Sequence, residues 1–193
     1  MNVKSFEAAR IERVVVRGVN WVGDAVMTIP ALRELRLLLP HAHITLATRA
    51  WAEGIFAGAD YLDALLIDEP NGGVVRSFLG QQRKWRSERF DLALIFPNSF
   101  QSAFLAFSAR IPHRIGFATD KRGMLLSHPL PLPESLSREH EVYYYLHLIG
   151  ELERLLTGYE PAVVRRQPSD VISVSPERMG SGARVSAKER RAA

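Results

Sequence analysis

The 193-residue chain contains no cysteine, which excludes a disulfide scaffold, a thiolate metal site and a cysteine nucleophile, and suits a reducing cytoplasm. It contains no Asp-X-Asp, and its six histidines show no paired metal spacing, so no metal is expected to take part in its chemistry. No stretch reaches the ~18 uninterrupted apolar residues of a membrane span. Met1–Glu12 lacks the apolar centre of a signal peptide. These absences lead to the expectation of a cytoplasmic protein that meets a membrane, if at all, only peripherally at its inner face.

What is present is a globular balance, 47% apolar and 24% charged residues. The formal charge of +4 sits in one place. Residues 161–193 hold seven Lys and Arg against Asp170, Glu177 and Glu189, so residues 1–160 are balanced. A neutral body with a short basic tail argues against a nucleic-acid partner.

Body and tail also differ in pattern. Arg13–Arg17 (RVVVR), Ile44–Ala47, Ala64–Ile67, Leu92–Phe96 and Arg114–Phe117 are short apolar or β-branched runs bounded by turn residues, as buried parallel strands require. Between them helical spacing aligns Leu32, Leu35 and Leu39; Val75, Phe78 and Leu79; and Ala103, Phe104 and Phe107. Glu139–Leu156 carries a last stripe of Val142, Leu146, Ile149, Leu152 and Leu156. Such alternation predicts an α/β fold, a Rossmann-like parallel sheet sandwiched by helices, over residues 1–158. Residues 159–193 are rich in Pro, Ser, Arg, Gly and Ala, and read as a linker or poorly ordered basic tail.

Two loops are expected at the carboxyl edge of that sheet, where ligands gather in open α/β folds. The first, Arg17–Leu32 (RGVNWVGDAVMTIPAL), lacks G-x-G-x-x-G and the Lys-Ser/Thr ending of a phosphate-binding loop. Gly23 permits a tight turn or a close ligand. Asp24 suits either a cap on free helix N–H groups or a catalytic carboxylate, and spacing does not separate the two. The second begins at Asn98-Ser99-Phe100-Gln101, whose short polar side chains suit hydroxyl recognition or, at Asn98 or Ser99, the capping of the following helix. Tyr143–Tyr145 is expected to pack the last helix.

Asn20-Trp21-Val22-Gly23-Asp24, followed by Thr28, Pro30, Ala31 and Leu32, resembles the first motif of the ADP-heptose:lipopolysaccharide heptosyltransferases, glycosyltransferase family 9. The tryptophan points to their heptosyltransferase II branch. Phe96–Ala103 (FPNSFQSA) and Ile111–Phe117 (IPHRIGF) are similar to two further signatures of that branch, and Ala50-Trp51 and His140-Glu141-Val142 also fit. The resemblance spans about residues 13–156.

The resemblance implies the N-terminal, acceptor-side domain of a two-domain glycosyltransferase-B architecture. The family transfers heptose with inversion from ADP-heptose to a heptosyl-Kdo-lipid A acceptor of the lipopolysaccharide inner core, and needs no metal. Asp24 is then the base that takes the acceptor hydroxyl proton. Nothing after Gly158 resembles the donor-binding domain, so a separately encoded donor domain is an expected partner. A non-catalytic α/β module, or an inactive truncated product, that recognises an acidic glycolipid or nucleotide remains the alternative.

An inner-core acceptor carries carboxylates and phosphates, which arginine grips bidentately. The acceptor site is accordingly expected to draw on Arg49 after the second strand, and on His113 and Arg114 in the IPHR signature. Lys121 and Arg122 would contribute from the loop after Phe117. Asn20, Trp21, Asn98, Ser99 and Gln101 complete the expected acceptor contacts.

Overall fold

A computed structural model describes residues 11–68, 72–159 and 161. Six strands form one sheet: β1 (Arg13–Arg17), β2 (His43–Arg49), β3 (Ala64–Asp68), β4 (Leu92–Ile95), β5 (His113–Phe117) and β6 (His128–Leu130). Their order is β3-β2-β1-β4-β5-β6, and every pairing is parallel. The chain thus winds outward from β1 in one direction, then returns to start again from β4. That reversal opens a crevice at the carboxyl ends of β1 and β4.

The pleat sorts side chains between two cores. Val14 and Val16 of β1, with Leu92 and Leu94 of β4, face one core, and Val15, Ala93 and Ile95 face the other. The first core is covered by α1 (Val22–Met27), α2 (Ile29–Leu38), α3 (Glu53–Phe56) and α6 (Glu141–Thr157). The second lies beneath α4 (Val74–Ser87), α5 (Phe100–Ser108) and a short 3-10 turn at Arg122–Leu125. The stripe expected on the last helix is there, with Val142, Leu146, Ile149 and Leu152 buried. Gly158 ends that helix in a left-handed conformation, φ 75°.

Two glycines are required by close approach. A Cβ on Gly18 would stand 3.1 Å from the Ala47 carbonyl oxygen, and one on Gly116 would stand 3.2 Å from that of Ile95. Both sit where strands of the reversal point pack backbone to backbone.

Four points of the sequence reading need correction or restriction. The strand β6 escaped the sequence reading, because three residues with a central proline carry almost no apolar signal. On α4, Val75 and Leu79 are 72% and 43% exposed, and Trp85 is the helix's one buried side chain. On α5 the core face is Ser102, Ala103, Leu105 and Ala106, while Phe104 and Phe107 point outward, 40% and 46% exposed. The expectation for residues 159–193 lies outside the described residues except at Tyr159 and Pro161.

Candidate functional site

At the reversal point a cleft of about 400 Å³ opens between the ends of β1 and β2 and the starts of α4 and α5. Arg17, Asn20, Arg49, Ser99, Gln101 and Ser102, with Ser77 and Gln81 of α4, form its polar lining. The buried Arg17 pairs with the buried carboxylate of Asp68. Burial pushes the Arg17 guanidinium down to about 10, and the nearby charge of Arg49 adds to the shift. Arg49 is half-buried, and its guanidinium has no hydrogen bond or ion pair among the described residues. Two guanidinium groups that repel each other, balanced by one carboxylate, leave the cleft with a surplus positive charge. Anionic oxygens fit that arrangement.

Four of the residues singled out from sequence, Asn20, Arg49, Ser99 and Gln101, therefore share one cleft. Arg17 was missed. Its signal was a cation closing an otherwise apolar run immediately before the glycine-containing loop. Ser99 also caps α5, its Oγ accepting from the Ser102 N–H at 3.3 Å and lying 2.7 Å from Ser102 Oγ. Capping and cleft lining coexist there.

Asp24 and Trp21 stand apart from this cleft, on the α6 side of the β1 loop. Trp21 occupies the N-cap position of α1 without a side-chain cap bond, and is 75% exposed. Asp24 lies in the first turn, half-buried, and its carboxylate makes no hydrogen bond or ion pair among the described residues. The capping alternative for Asp24 is thus not realised. Its charge is felt by Tyr145, whose phenol is raised well above its usual value, mainly by burial and then by Asp24. Gly23 has an ordinary helical backbone, and a Cβ built there would meet nothing within 4 Å. The tight-turn reason for that glycine is absent, and open space lies before it.

Asn98 is a structural hub. Its Oδ1 accepts from Thr119 Oγ1 at 3.0 Å, from Arg122 Nη2 at 3.1 Å and from the Tyr144 O–H at 2.5 Å. Burial lifts the Tyr144 phenol to about 12, with the Arg122 charge opposing. Arg122 is wholly buried. Its Nε donates to the Phe117 carbonyl at 2.8 Å, and Nη1 donates to the Pro97 carbonyl and, at 3.4 Å, to that of Ser99. The expectation of a direct acceptor contact from Arg122 is corrected here, because every arm of its fork is committed to the protein. Lys121 beside it is exposed at the carboxyl edge, in a left-handed conformation.

His113 and Arg114 are likewise relocated. They open β5, so they lie at the amino edge of the sheet, opposite the cleft. Arg114 donates from Nε to the Leu125 carbonyl at 2.7 Å and from Nη1 to the Ile111 carbonyl at 2.5 Å, with its guanidinium over the Phe107 ring. The signature pins the end of α5 to the turn before β6. His113 is held below its ordinary 6.5 by burial, with Arg114 adding and Asp91 opposing. The fold thus prefers the neutral ring. Its contribution to stability is complete above pH 6.5 and is lost as the pH falls below it, where the unfolded chain binds the proton first. His113→Gln should therefore lessen the acid sensitivity of the urea midpoint below that pH. An unchanged acid slope would assign the sensitivity elsewhere.

Among the described residues no group of three or more His, Asp or Glu side chains is placed to hold a metal ion, and no helix is long and apolar enough to cross a membrane.

Comparison with known proteins shows what the chain is similar to. Residues 79–170 match the family Glycosyltransferase family 9 (heptosyltransferase). Lipopolysaccharide heptosyltransferase 2 of Escherichia coli is 32% identical over 119 residues, a match covering 60% of this chain and 34% of that protein. The solved structure of the E. coli ADP-heptose lipopolysaccharide heptosyltransferase II superposes with a TM-score of 0.61 at 27% identity, covering 71% of this chain and 40% of that one. A family 9 glycosyl transferase from Veillonella parvula has the same fold, with a TM-score of 0.65 at 20% identity over 77% of this chain and 43% of the other. The match to the curated relatives spans about a third of their length.

Proposed function

Since the chain is related to the heptosyltransferases of glycosyltransferase family 9, we propose that its body, residues 1–158, is the acceptor-side domain of a lipopolysaccharide inner-core heptosyltransferase. ADP-heptose is the donor, bound by a second domain of a glycosyltransferase-B architecture, and a heptosyl-Kdo-lipid A is the acceptor. The observation that carries this reading is the reversal-point cleft, where Arg17 and Arg49 present surplus charge among Asn20, Ser99 and Gln101. Carboxylates and phosphates of an inner-core saccharide would relieve that repulsion, and the short polar side chains would bind its hydroxyls. Lys121 adds an exposed cation after β5, elsewhere on the same carboxyl edge, while Arg122 acts through the loop that it holds.

The reaction is an inverting displacement without metal. The unengaged carboxylate of Asp24 takes the proton of the acceptor hydroxyl as its oxygen bonds to the anomeric carbon, and the bond from that carbon to ADP breaks. The open space before Gly23 lets the acceptor lie against the helix, with Trp21 as an apolar wall at its entrance. The protein works in the cytoplasm.

Titration calorimetry with purified heptosyl-Kdo-lipid A in detergent tests the reading. The chain should bind it, and Arg49→Glu should weaken binding roughly tenfold or more, since a partly desolvated cation is replaced by a like charge. ADP and ADP-heptose should bind very weakly to this chain alone. Low-micromolar ADP binding without acceptor binding would replace this reading with that of a nucleotide-recognising module.

A further inference from the structure

The outer surface of α4 and α5 combines exposed apolar side chains with cations. Val75, Leu79 and Arg83 recur every fourth residue of α4, and with Arg86 they share one face of that helix. Alongside, Phe100, Phe104 and Phe107 form the outward crest of α5. Phe78 stacks on Phe104 with ring centroids 5.4 Å apart, and Phe104 on Phe100 at 6.2 Å, so the half-buried Phe78 joins α4 to the exposed rings of α5. Apolar patches of this kind on a soluble domain mark interaction sites.

Charge says what the surface meets. Arg76, Arg83, Lys84 and Arg86 lie on α4 and Arg110 follows α5, and neither helix contains an aspartate or glutamate. Two copies of such a face would repel each other, and the basic segment 161–193 is equally unsuited to cover it. The patch also flanks the sheet rather than crowning its carboxyl edge, so a second domain sharing the cleft would leave it free. Among the described residues the one carboxylate at the end of α4, Glu88, is paired with Arg13, and an apolar crest flanked along both helices by cations suits an anionic lipid surface: rings and branched side chains enter the acyl boundary, and guanidinium groups meet headgroup phosphates. We propose that the α4–α5 face docks the protein peripherally on a bilayer rich in anionic phospholipid. This inference rests on the surface alone and stands whether or not the chain takes part in heptose transfer.

Docking so placed would hold the reversal-point cleft beside the membrane, because α4 and α5 both begin at its wall. A lipid-anchored saccharide could then reach the cleft without leaving the bilayer.

Co-sedimentation of the full chain with large vesicles tests the proposal, using phosphatidylcholine alone and an equal mixture with phosphatidylglycerol. The chain should bind the mixed vesicles, bind phosphatidylcholine vesicles at least tenfold more weakly, and dissociate at high salt. The double change Arg83→Glu/Arg86→Glu should lower the partition coefficient roughly tenfold or more, from the loss of two headgroup-facing cations. Leu79→Glu/Phe104→Glu should do the same, with residual binding that no longer depends on the apolar crest. Leu37→Glu, an exposed apolar site on α2 across the sheet, should bind as the parent does. Thermal unfolding of each variant confirms that these exposed substitutions leave the fold intact. The proposal is overturned by equal binding to both vesicle types, by patch variants that bind like the parent, or by a Leu37→Glu loss of the same size. A self-association that Phe104→Glu abolishes, with no vesicle binding, would overturn it in favour of a second copy.

Discussion

Asp24→Asn, in a form of the protein joined to its donor-binding half, is expected to lower turnover by roughly 10²–10⁴ while leaving the fold intact, the usual consequence of losing a general base. Asparagine keeps the shape of aspartate and removes the ability to accept a proton. Its structural cost should be small, since no cap bond is lost: Trp21, not Asp24, occupies the N-cap of α1. The remaining loss is the favourable placement of a negative charge near a helix N-terminus, about 0.3–1 kcal/mol. An assay of ADP release at saturating acceptor separates the outcomes. A large fall in kcat with an unchanged melting temperature supports the role of base. Unchanged turnover would return Asp24 to a residue that tunes its surroundings, Tyr145 among them.

Much of the fold was legible because its signals are local. A β-branched run such as Arg13–Arg17 needs two covered faces, and alternating runs and stripes leave few topologies to choose from. The helix faces were less legible. Phe104 and Phe107 satisfy helical spacing as well as Ala103 does, and only the narrow gap between α5 and the sheet decides that small residues go inward. Periodicity finds a stripe, but not which side of it meets the core. Where the biggest apolar residues face outward, the sequence rule breaks at an interaction surface.

The site was legible wherever residues follow a strand and misplaced where they precede one. Arg49 ends β2 and Asn98 follows β4, so they reach the carboxyl edge. His113 and Arg114 open β5, and the helix before it has already carried the chain back to the amino edge. A motif's spelling does not reveal that direction, whereas its position within the strand does. Arg122 follows a strand and still contributes no free donor, because burial is a tertiary fact that a charged loop sequence conceals.

That burial sets up the largest expected change in stability. Together with the Asn98 hub, Arg122 joins three segments: the end of β5 through the Phe117 carbonyl, the β4–α5 loop through the Pro97 and Ser99 carbonyls, and α6 through Asn98 and Tyr144. It also closes a turn in which Asp120 and Lys121 both hold positive φ, 48° and 55°, a conformation that costs non-glycine residues roughly 1–2 kcal/mol each. Arg122→Ala takes the guanidinium donors away from the Phe117, Pro97 and Ser99 carbonyls, leaves Asn98 only Thr119 and Tyr144, and removes a wholly buried side chain. The expected cost is about 3–5 kcal/mol, read as a fall of roughly 10 °C in melting temperature for a domain of this size. Arg122→Lys should recover only part, since an ammonium cannot span a fork shared among the Phe117, Pro97 and Asn98 oxygens. Lys121→Ala, one residue away and exposed, should leave the melting temperature nearly unchanged while weakening acceptor binding. If Arg122→Ala and Lys121→Ala instead unfolded at the same temperature, the guanidinium would not be what holds the loop, and its complete burial would need another explanation.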